Sequence, residues 1–505
     1  MPRLKLFFDY LRHCLLGVSL CFVATTCFSQ NETPEFWFNS GQAELKKALA
    51  QQPNTNRAKN IILLIGDGMG VSTVTAGRIF DGQDHGHSGE ENLLAFEKLP
   101  YLGLSKTYNT NQQTPDSAGT MSAMMTGIKT KAGFISINQN VKRGDCLGTA
   151  TNYLSTFLEQ AESVGLATGI VTTARLTHAT PAATYAHVTE RDWEGDSDMP
   201  MDAKQQGCKD IASQLIDFKY GDGIEVAMGG GRRYFLPATI EGGRRQDERD
   251  LTKEWTQHFS KANYVSTREQ LNSIDAEQTQ HLLGLFNNSH MRFYQDRLAA
   301  EASEPNLMEM TSKALDILEK NSKGYFLMVE AGRIDHGHHF GNAFRALKDT
   351  QEFSLTVQAI LDRVNLNDTL VIVTADHSHT LTISGYPTRG NPILGLMVAN
   401  DNKGDSTGKP FIADDGKPFT TLGYRNGPGD FEKDKPIGAR SDLSTVDTTT
   451  PDYNQQVLVP LEDESHGGED VAIYAAGPWA HLFQHTHEQN YIYHVMAHAA
   501  QLSKR

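Results

Sequence analysis

The chain has 505 residues and a net charge of −15, with 39% hydrophobic and 21% charged residues. That is ordinary globular composition and long enough for a large core, so disorder is excluded as the default state. The acidic balance also argues against nucleic-acid binding, because such a surface repels a phosphate backbone.

At the start of the chain, Arg3, Lys5 and Arg12 precede an apolar run from Cys14 to Phe28. The run is too short to span a membrane and has the length of a signal h-region. Residues 1–29 are therefore read as a signal peptide cut before Gln30, with an uncleaved anchor as the alternative. The mature chain is then exported, periplasmic or secreted, with no transmembrane helix, and no hydrophobic tail follows QLSKR to signal a lipid anchor. Three of the five cysteines fall in the leader. Cys146 and Cys208 remain as an even pair in an oxidising compartment and are read as a disulfide, two buried thiols being the alternative.

Further along, apolar runs of strand length end in polar clusters: NIILLIGDGMG from Asn60, TGIVTTARLTH from Thr168, GYFLMVEAGRIDHGHH from Gly324, DTLVIVTADHSH from Asp368 and DVAIYAAGP from Asp470. They read as buried parallel strands. Between them, residues 307–320 and 343–364 carry apolar residues at helical spacing. This alternation predicts an α/β fold, a mostly parallel central sheet with helices on both faces, whose ligands gather beyond the carboxyl ends of the strands. The polar clusters run from Asp67 to His466, so residues 30–505 read as one catalytic domain. Residues 391–462 are rich in Gly, Pro, Asp and Thr and read as a loop-rich insertion within it.

Those clusters supply metal-type side chains: Asp67; Glu330, Asp335 and His339; Asp376 and His377; and His466. Mixed carboxylate and imidazole sets suit zinc, and all-oxygen sets suit magnesium. Each residue alone has a plain structural reading, as turn, cap or solvated loop residue. Together they would put unpaired carboxylates at the ends of several buried strands, at a cost of several kcal/mol unless cations pair them. Arg333 is an alternative partner for Asp335.

The stretch TPDSAGTMSAMMTG from Thr114 contains Ser117, which is either a helix cap or a nucleophile. Asp116 could be the cap instead. The small residues after Ser117 would let an anion approach the helix N-terminus. Arg191 is a rare positive charge in an acidic stretch, with Glu190, Asp192 and Glu194 as possible ion-pair partners. Thr180 places a hydroxyl just past a strand end, and also fits a turn before Pro181.

Taken together, IGDGMG, DSAGT, VTTARLTHATPAATYAH, MGGGRRYF, VEAGRIDHGHH, VTADHSH and ESHGGEDVAIYAAGP, in this order from about Asn60 to Pro478, resemble the alkaline phosphatase family, in particular its animal-type branch. The resemblance implies an exported hydrolase of phosphate monoesters that forms a phosphoserine at Ser117, with Arg191 clamping the phosphate oxygens and Asp116 orienting Arg191. It implies two Zn²⁺ ions, the first held by Asp335, His339 and His466 and the second by Asp376, His377 and Asp67, the latter also touching Ser117. One Mg²⁺ would share Asp67 with Thr180 and Glu330, with His178 nearby. A family disulfide, a homodimer with residues 391–462 as a crown-like insertion, and an alkaline optimum are implied as well. One departure bears on a further ion: the family's animal-type Ca²⁺ site uses a glutamate where this chain has Asn287, with Glu241 and Glu304 aligning only loosely, which puts Ca²⁺ in doubt. The competing readings are a phosphodiesterase or phosphonate hydrolase of the same architecture, and a non-catalytic exported protein that binds metal or phosphate.

Overall fold

The computed structural model describes residues 32–299, 303–429 and 439–502. The expected signal peptide lies outside them. By internal contacts the chain divides into a segment up to Gln52 and a large unit from Pro53 onward. In the first, a helix spans Pro34–Ala50, started by Thr33, whose side chain accepts from Phe36 N, with Pro34 in its first turn where no amide donor is needed. None of its residues is buried.

The large unit is built on a ten-stranded sheet. Its strands are β1 (Asn60–Gly66), β2 (Tyr101–Lys106), β3 (Ala167–Arg175), β4 (Val226–Gly230), β5 (Ala262–Val265), β6 (His281–Leu285), β7 (Tyr325–Ala331) and β8 (Thr369–Thr374). Short strands follow, β9 (Ser378–His379), β10 (Leu381–Ile383), β11 (Val398–Asn400), β12 (Ser406–Pro410), β13 (Leu422–Gly427), β14 (Val457–Pro460) and β15 (His466–Gly467), before β16 (Val471–Ala476) and β17 (Thr486–Glu488) close the main sheet. Its order is β17-β2-β16-β8-β1-β7-β3-β4-β6-β5. Strand β1 is central and parallel to both neighbours, with Ile61 opposite Phe326 and Leu370.

Why β1 reads as an unbroken apolar run is visible in its packing. Ile61, Leu63 and Ile65 enter one core while Ile62 and Leu64 enter the other, so both faces of the strand are covered. At about 1.5–3 kcal/mol for each fully buried aliphatic side chain, this strand is a main contributor to sheet stability. The first core takes Met121, Met124 and Met125 from the helix Ser117–Thr126, and the second takes Leu307 to Leu318 and Phe353 to Ile360 from the helices Leu307–Leu318 and Ala343–Arg363.

One expectation is corrected. The DVAIYAAGP run forms β16, but β16 is antiparallel to both β8 and β2. The cause is where the chain enters it: β15, with His466, pairs with β9 just past the carboxyl end of β8, so the next strand can only run away from that end. Hydrophobic pattern carries no direction. Residues 391–462 hold β11 and β12 as a two-stranded ribbon, while β13 and β14 join β10 in a separate three-stranded sheet.

Candidate metal centre and nucleophile

The site residues follow the carboxyl ends of four adjacent strands. Asp67 follows β1, Glu330 ends β7 with Asp335 and His339 in the helix Arg333–His339 beyond it, Asp376 and His377 follow β8, and His178 and Thr180 follow β3. The turn after Asp67 requires glycine: Gly68 has φ +70°, and a Cβ there would lie 2.4 Å from the His379 ring.

Ser117 is the first residue of a helix whose ten residues are all buried. The cap is Asp116, whose Oδ1 accepts from Gly119 N at 3.1 Å. Its other oxygen, Oδ2, accepts from Gly133 N at 2.8 Å and from Arg191 Nη1 at 3.1 Å. Asp116 thus caps the helix and holds Arg191 at once. Burial works against ionisation of Asp116, but Arg191 and the two amides outweigh it and hold its carboxyl below the usual range. None of the acidic residues beside Arg191 in sequence takes this place: Glu190 pairs with Arg143 and Glu194 with Arg175. Arg191 Nη2 also donates to His178 Nε2 at 3.2 Å, and burial, followed by Arg191, pulls the His178 pKa well below its ordinary value.

Ser117 Oγ lies 3.1 Å from His377 Nε2, close enough for one cation to meet both. The imidazole Nε2 lies 3.5 Å from Asp67 Oδ1 and 3.3 Å from Asp376 Oδ2. Asp376 Oδ1 accepts from Gly68 N and His377 N, which fixes the carboxylate and leaves Oδ2 facing the site. Asp335, His339 and His466 converge likewise. His339 Nδ1 donates to Glu464 O at 2.5 Å and His466 Nδ1 to Pro115 O at 2.8 Å, so both Nε2 atoms carry lone pairs. Those lone pairs stand 3.2 Å apart and 3.3 and 3.5 Å from Asp335 Oδ1. Three electron-rich atoms held this close call for a cation between them.

Unpartnered atoms tell the same story. Among the described residues, both carboxylate oxygens of Asp67, Asp376 Oδ2, Glu330 Oε1, Thr180 Oγ1 and His178 Nδ1 are buried without a hydrogen-bond partner. Burial, then Asp376, Asp335 and Glu330, pushes Asp67 well above the usual carboxyl range, and burial, with Asp376 adding to it, pushes Glu330 up to about 7. Groups able to hold a metal include Asp67, Asp376 and His377; Asp335, His377, His379 and His466; and Asp67, His178 and Glu330. The residues present therefore fit two mixed nitrogen and oxygen sites and one oxygen-rich site.

Two residues escaped the sequence reading. His379 donates through Nε2 to Asp335 Oδ1 at 2.7 Å and through Nδ1 to Glu464 Oε2 at 2.5 Å. Burial lowers its pKa, but Glu464 and Asp335 outweigh that and push it up to about 10. Glu464 Oε1 accepts from Thr380 N and Oγ1, both at 2.6 Å, while its backbone carbonyl fixes the His339 tautomer. The signal was present in VTADHSH and in DESHGG, two residues after His377 and two before His466. Arg333, the alternative partner for Asp335, instead lies 3.9 Å over the Phe293 ring. At the position considered for Ca²⁺, Glu304 accepts from Asn287 Nδ2 at 2.7 Å and Arg292 N at 2.8 Å, and Asn287 itself brings no charge.

Cys146 and Cys208 are joined as a disulfide, with Cα atoms 5.8 Å apart. Among the described residues no helix is long and apolar enough to cross a membrane.

Comparison with known proteins agrees with the geometry. The family model described as alkaline phosphatase matches residues 58–502. The tissue-nonspecific alkaline phosphatase of Homo sapiens is 43% identical over 502 residues, covering 96% of this chain and 92% of that protein. An alkaline phosphatase of Gadus morhua is 44% identical over 485 residues, covering 93% and 98%. Among solved structures, the Thermus thermophilus alkaline phosphatase aligns with a TM-score of 0.63 at 24% identity, over 92% of this chain and 96% of that one, a likeness of fold.

Proposed function

The chain belongs to the alkaline phosphatase family, and from that premise we propose that it hydrolyses phosphate monoesters to alcohol and inorganic phosphate through a phosphoserine at Ser117. The observation that carries the proposal is the ring of unpartnered buried oxygens around a serine at a helix N-terminus, facing an arginine that a carboxylate holds in place.

Arg191 offers two nitrogens in a fork to two non-bridging phosphate oxygens, and Asp116 fixes the plane of that fork. The free amides at the N-terminus of the helix Ser117–Thr126 add positive potential where the phosphoryl group sits. Ser117 Oγ attacks phosphorus in line as the P–O bond to the alcohol breaks, the hydroxyl proton ending on the leaving alcohol; water then attacks the phosphoserine from the vacated side, the P–Oγ bond breaks, and one water proton returns to Ser117 as phosphate leaves. Two inversions give net retention at phosphorus. Asp335, His339 and His466 would hold one zinc, Asp67, Asp376 and His377 a second, and Asp67, Thr180 and Glu330 a magnesium, with His178 beside it. When bound, these ions supply Lewis-acid charge to the attacking and leaving oxygens and favour deprotonated hydroxyls.

Because Asp67 and Glu330 are pushed up by burial, protons compete with cations for them at low pH. Activity is therefore expected to rise toward alkaline pH. Export is supported by the disulfide and by the leader-like start of the sequence. One catalytic domain over residues 30–505, with 391–462 as a crown-like insertion, and a homodimer complete the proposal by family likeness.

The test is release of p-nitrophenol from its mono- and bis-phosphate esters by wild type and Ser117→Ala, before and after chelation with zinc and magnesium add-back. Monoester turnover that disappears with Ser117 and with the metals is expected. Faster diester turnover would move the chain to the diesterases, and metal binding without turnover to the non-catalytic reading.

A further inference from the structure

At the opposite end of the sheet from the candidate active site, the amino ends of β3 and β4 meet two buried acidic side chains. Glu162 lies in the last turn of the helix Phe157–Ser163 and is 1% exposed, and Glu225 immediately precedes β4 and is 9% exposed. Both are tied to Thr168: its Oγ1 donates to Glu162 Oε1 at 2.5 Å and its backbone N to Glu225 Oε2 at 2.6 Å. The other Glu162 oxygen, Oε2, is buried without a hydrogen-bond partner among the described residues. It points at the turn after Tyr220, since a Cβ on Gly221 would lie 2.2 Å from it. That turn carries Asp222, which is exposed.

The charges that repel Glu162 are Glu225 and Asp222, and the charge that repels Glu225 is Asp222. Lys323, an ammonium at this end of the sheet, is turned to Val164 O at 3.2 Å. A carboxylate in the last turn of a helix also faces the negative end of the helix dipole. Among the described residues no lysine or arginine forms an ion pair with Glu162 or Glu225, which are anchored by hydrogen bonds from Thr168, and the cluster is open to solvent at Asp222.

We propose that Glu162, Glu225 and Asp222 form a binding site for a hard divalent cation such as Ca²⁺, distinct from the catalytic ions and from the Asn287 and Glu304 position. The unpartnered Glu162 Oε2 and the Glu225 carboxylate supply the buried donors, and Asp222 is the entry ligand. An all-oxygen set with a solvent-facing side is what Ca²⁺ accepts, water completing its coordination.

A proton is the competing occupant. Burial, then the Glu225 and Asp222 charges, push Glu162 up to about 10, and burial, with Asp222 adding to it, pushes Glu225 up to about 8. Because these folded-state values lie above the unfolded ones, the native state binds more protons, so stability falls as pH rises from about 4.5 toward 8–10. A cation that takes the protons' place should stabilise most at high pH.

The experiment uses the zinc- and magnesium-loaded enzyme. Ca²⁺ is titrated at pH 6 and pH 9 with the melting temperature followed, and Tb³⁺ is titrated with emission sensitised through Tyr220. Wild type at pH 9 should gain about 2 °C or more and show saturable Tb³⁺ emission, with a smaller gain at pH 6. Both responses should vanish in Glu162→Gln, whose turnover should match wild type. If that variant folds poorly, Glu162→Lys sets an ammonium against Glu225 and should likewise be indifferent to Ca²⁺. Wild type that gains nothing from Ca²⁺ while losing stability from pH 6 to 9 would assign the pair to a shared proton and overturn the cation site. Equal gains in wild type and variant would place the Ca²⁺ effect elsewhere and overturn it too. Neither result touches the assignment of Ser117, which the phosphatase assay tests separately.

Discussion

Asp67 and Asp210 are both buried carboxylates, 0% and 4% exposed, and they are treated in opposite ways. Asp210 receives Arg245 in a two-pronged bond, 3.0 Å to Oδ1 and 3.1 Å to Oδ2, and its Oδ1 also caps the helix Ile211–Ile216 through Ser213 N. Among the described residues Asp67 has no hydrogen-bond partner on either oxygen, and it shares its space with Asp376 and Glu330. The fold can evidently neutralise a buried carboxylate with its own arginine. Where it leaves several open beside a serine, the missing charge has to come from ligands, and the contrast separates a structural ion pair from a catalytic centre.

Chelation breaks the contrast most directly. Removing metal should lower monoester turnover by about 10³-fold or more, with zinc and magnesium restoring it, while the Asp210 region should keep its structure. Turnover unaffected by a strong chelator would mean that Asp67 is not a ligand. Next in size is Arg245→Met, which strands Asp210 and should cost about 3–5 kcal/mol in urea unfolding, with turnover per folded molecule unchanged. A loss of much under about 1 kcal/mol would show that Asp210 tolerates burial alone and would weaken the inference about Asp67.

Glu464 orients His379 through its carboxylate and the His339 tautomer through its backbone carbonyl. Glu464→Gln should weaken zinc affinity by about 10–100-fold in competition with a chromophoric chelator, with turnover recovering at saturating zinc. Unchanged affinity with reduced turnover would remove it from the metal-positioning role. The smallest effect is expected at Glu488, which pairs with Lys106 and with Lys129, the latter at 2.8 Å. Burial opposes its ionisation, but the two lysines outweigh that and hold its pKa down to about 2. Its folded-state value therefore lies below the unfolded one, and its contribution is present above about pH 4.5 and lost as pH falls toward 2. Because Glu488 is partly exposed, Glu488→Gln should change stability at neutral pH by about 1 kcal/mol or less, the wild-type-minus-variant difference shrinking as pH falls from about 4.5 toward 2.

Much of this was legible in the sequence. The central strands β1, β3, β7 and β8 were found because burial on both faces leaves a continuous apolar run, and the helices Leu307–Leu318 and Ala343–Arg363 because one buried face leaves helical spacing. Strands β2, β4 and β6 were passed over: β2 is only half buried, and β4 and β6 are five residues long and rich in glycine or bounded by histidine. The direction of β16 was misread for the reason given by its entry point. His379 and Glu464 were missed because a residue that supports a ligand carries no pattern of its own.

By itself the sequence determined the α/β alternation, the ends of strands at which chemistry gathers, and the residue types able to bind metal, since these follow from local periodicity and from the cost of burying charge. Only the tertiary structure decided which charges stay open. Asp116 was a cap or an arginine partner until Gly119, Gly133 and Arg191 were all brought to its two oxygens, and it is both. Arg191 was surrounded by acidic neighbours in the chain and took none of them. Pairing between buried charges is set by distances across strands and helices far apart in sequence, and those distances exist only once the sheet has closed around them.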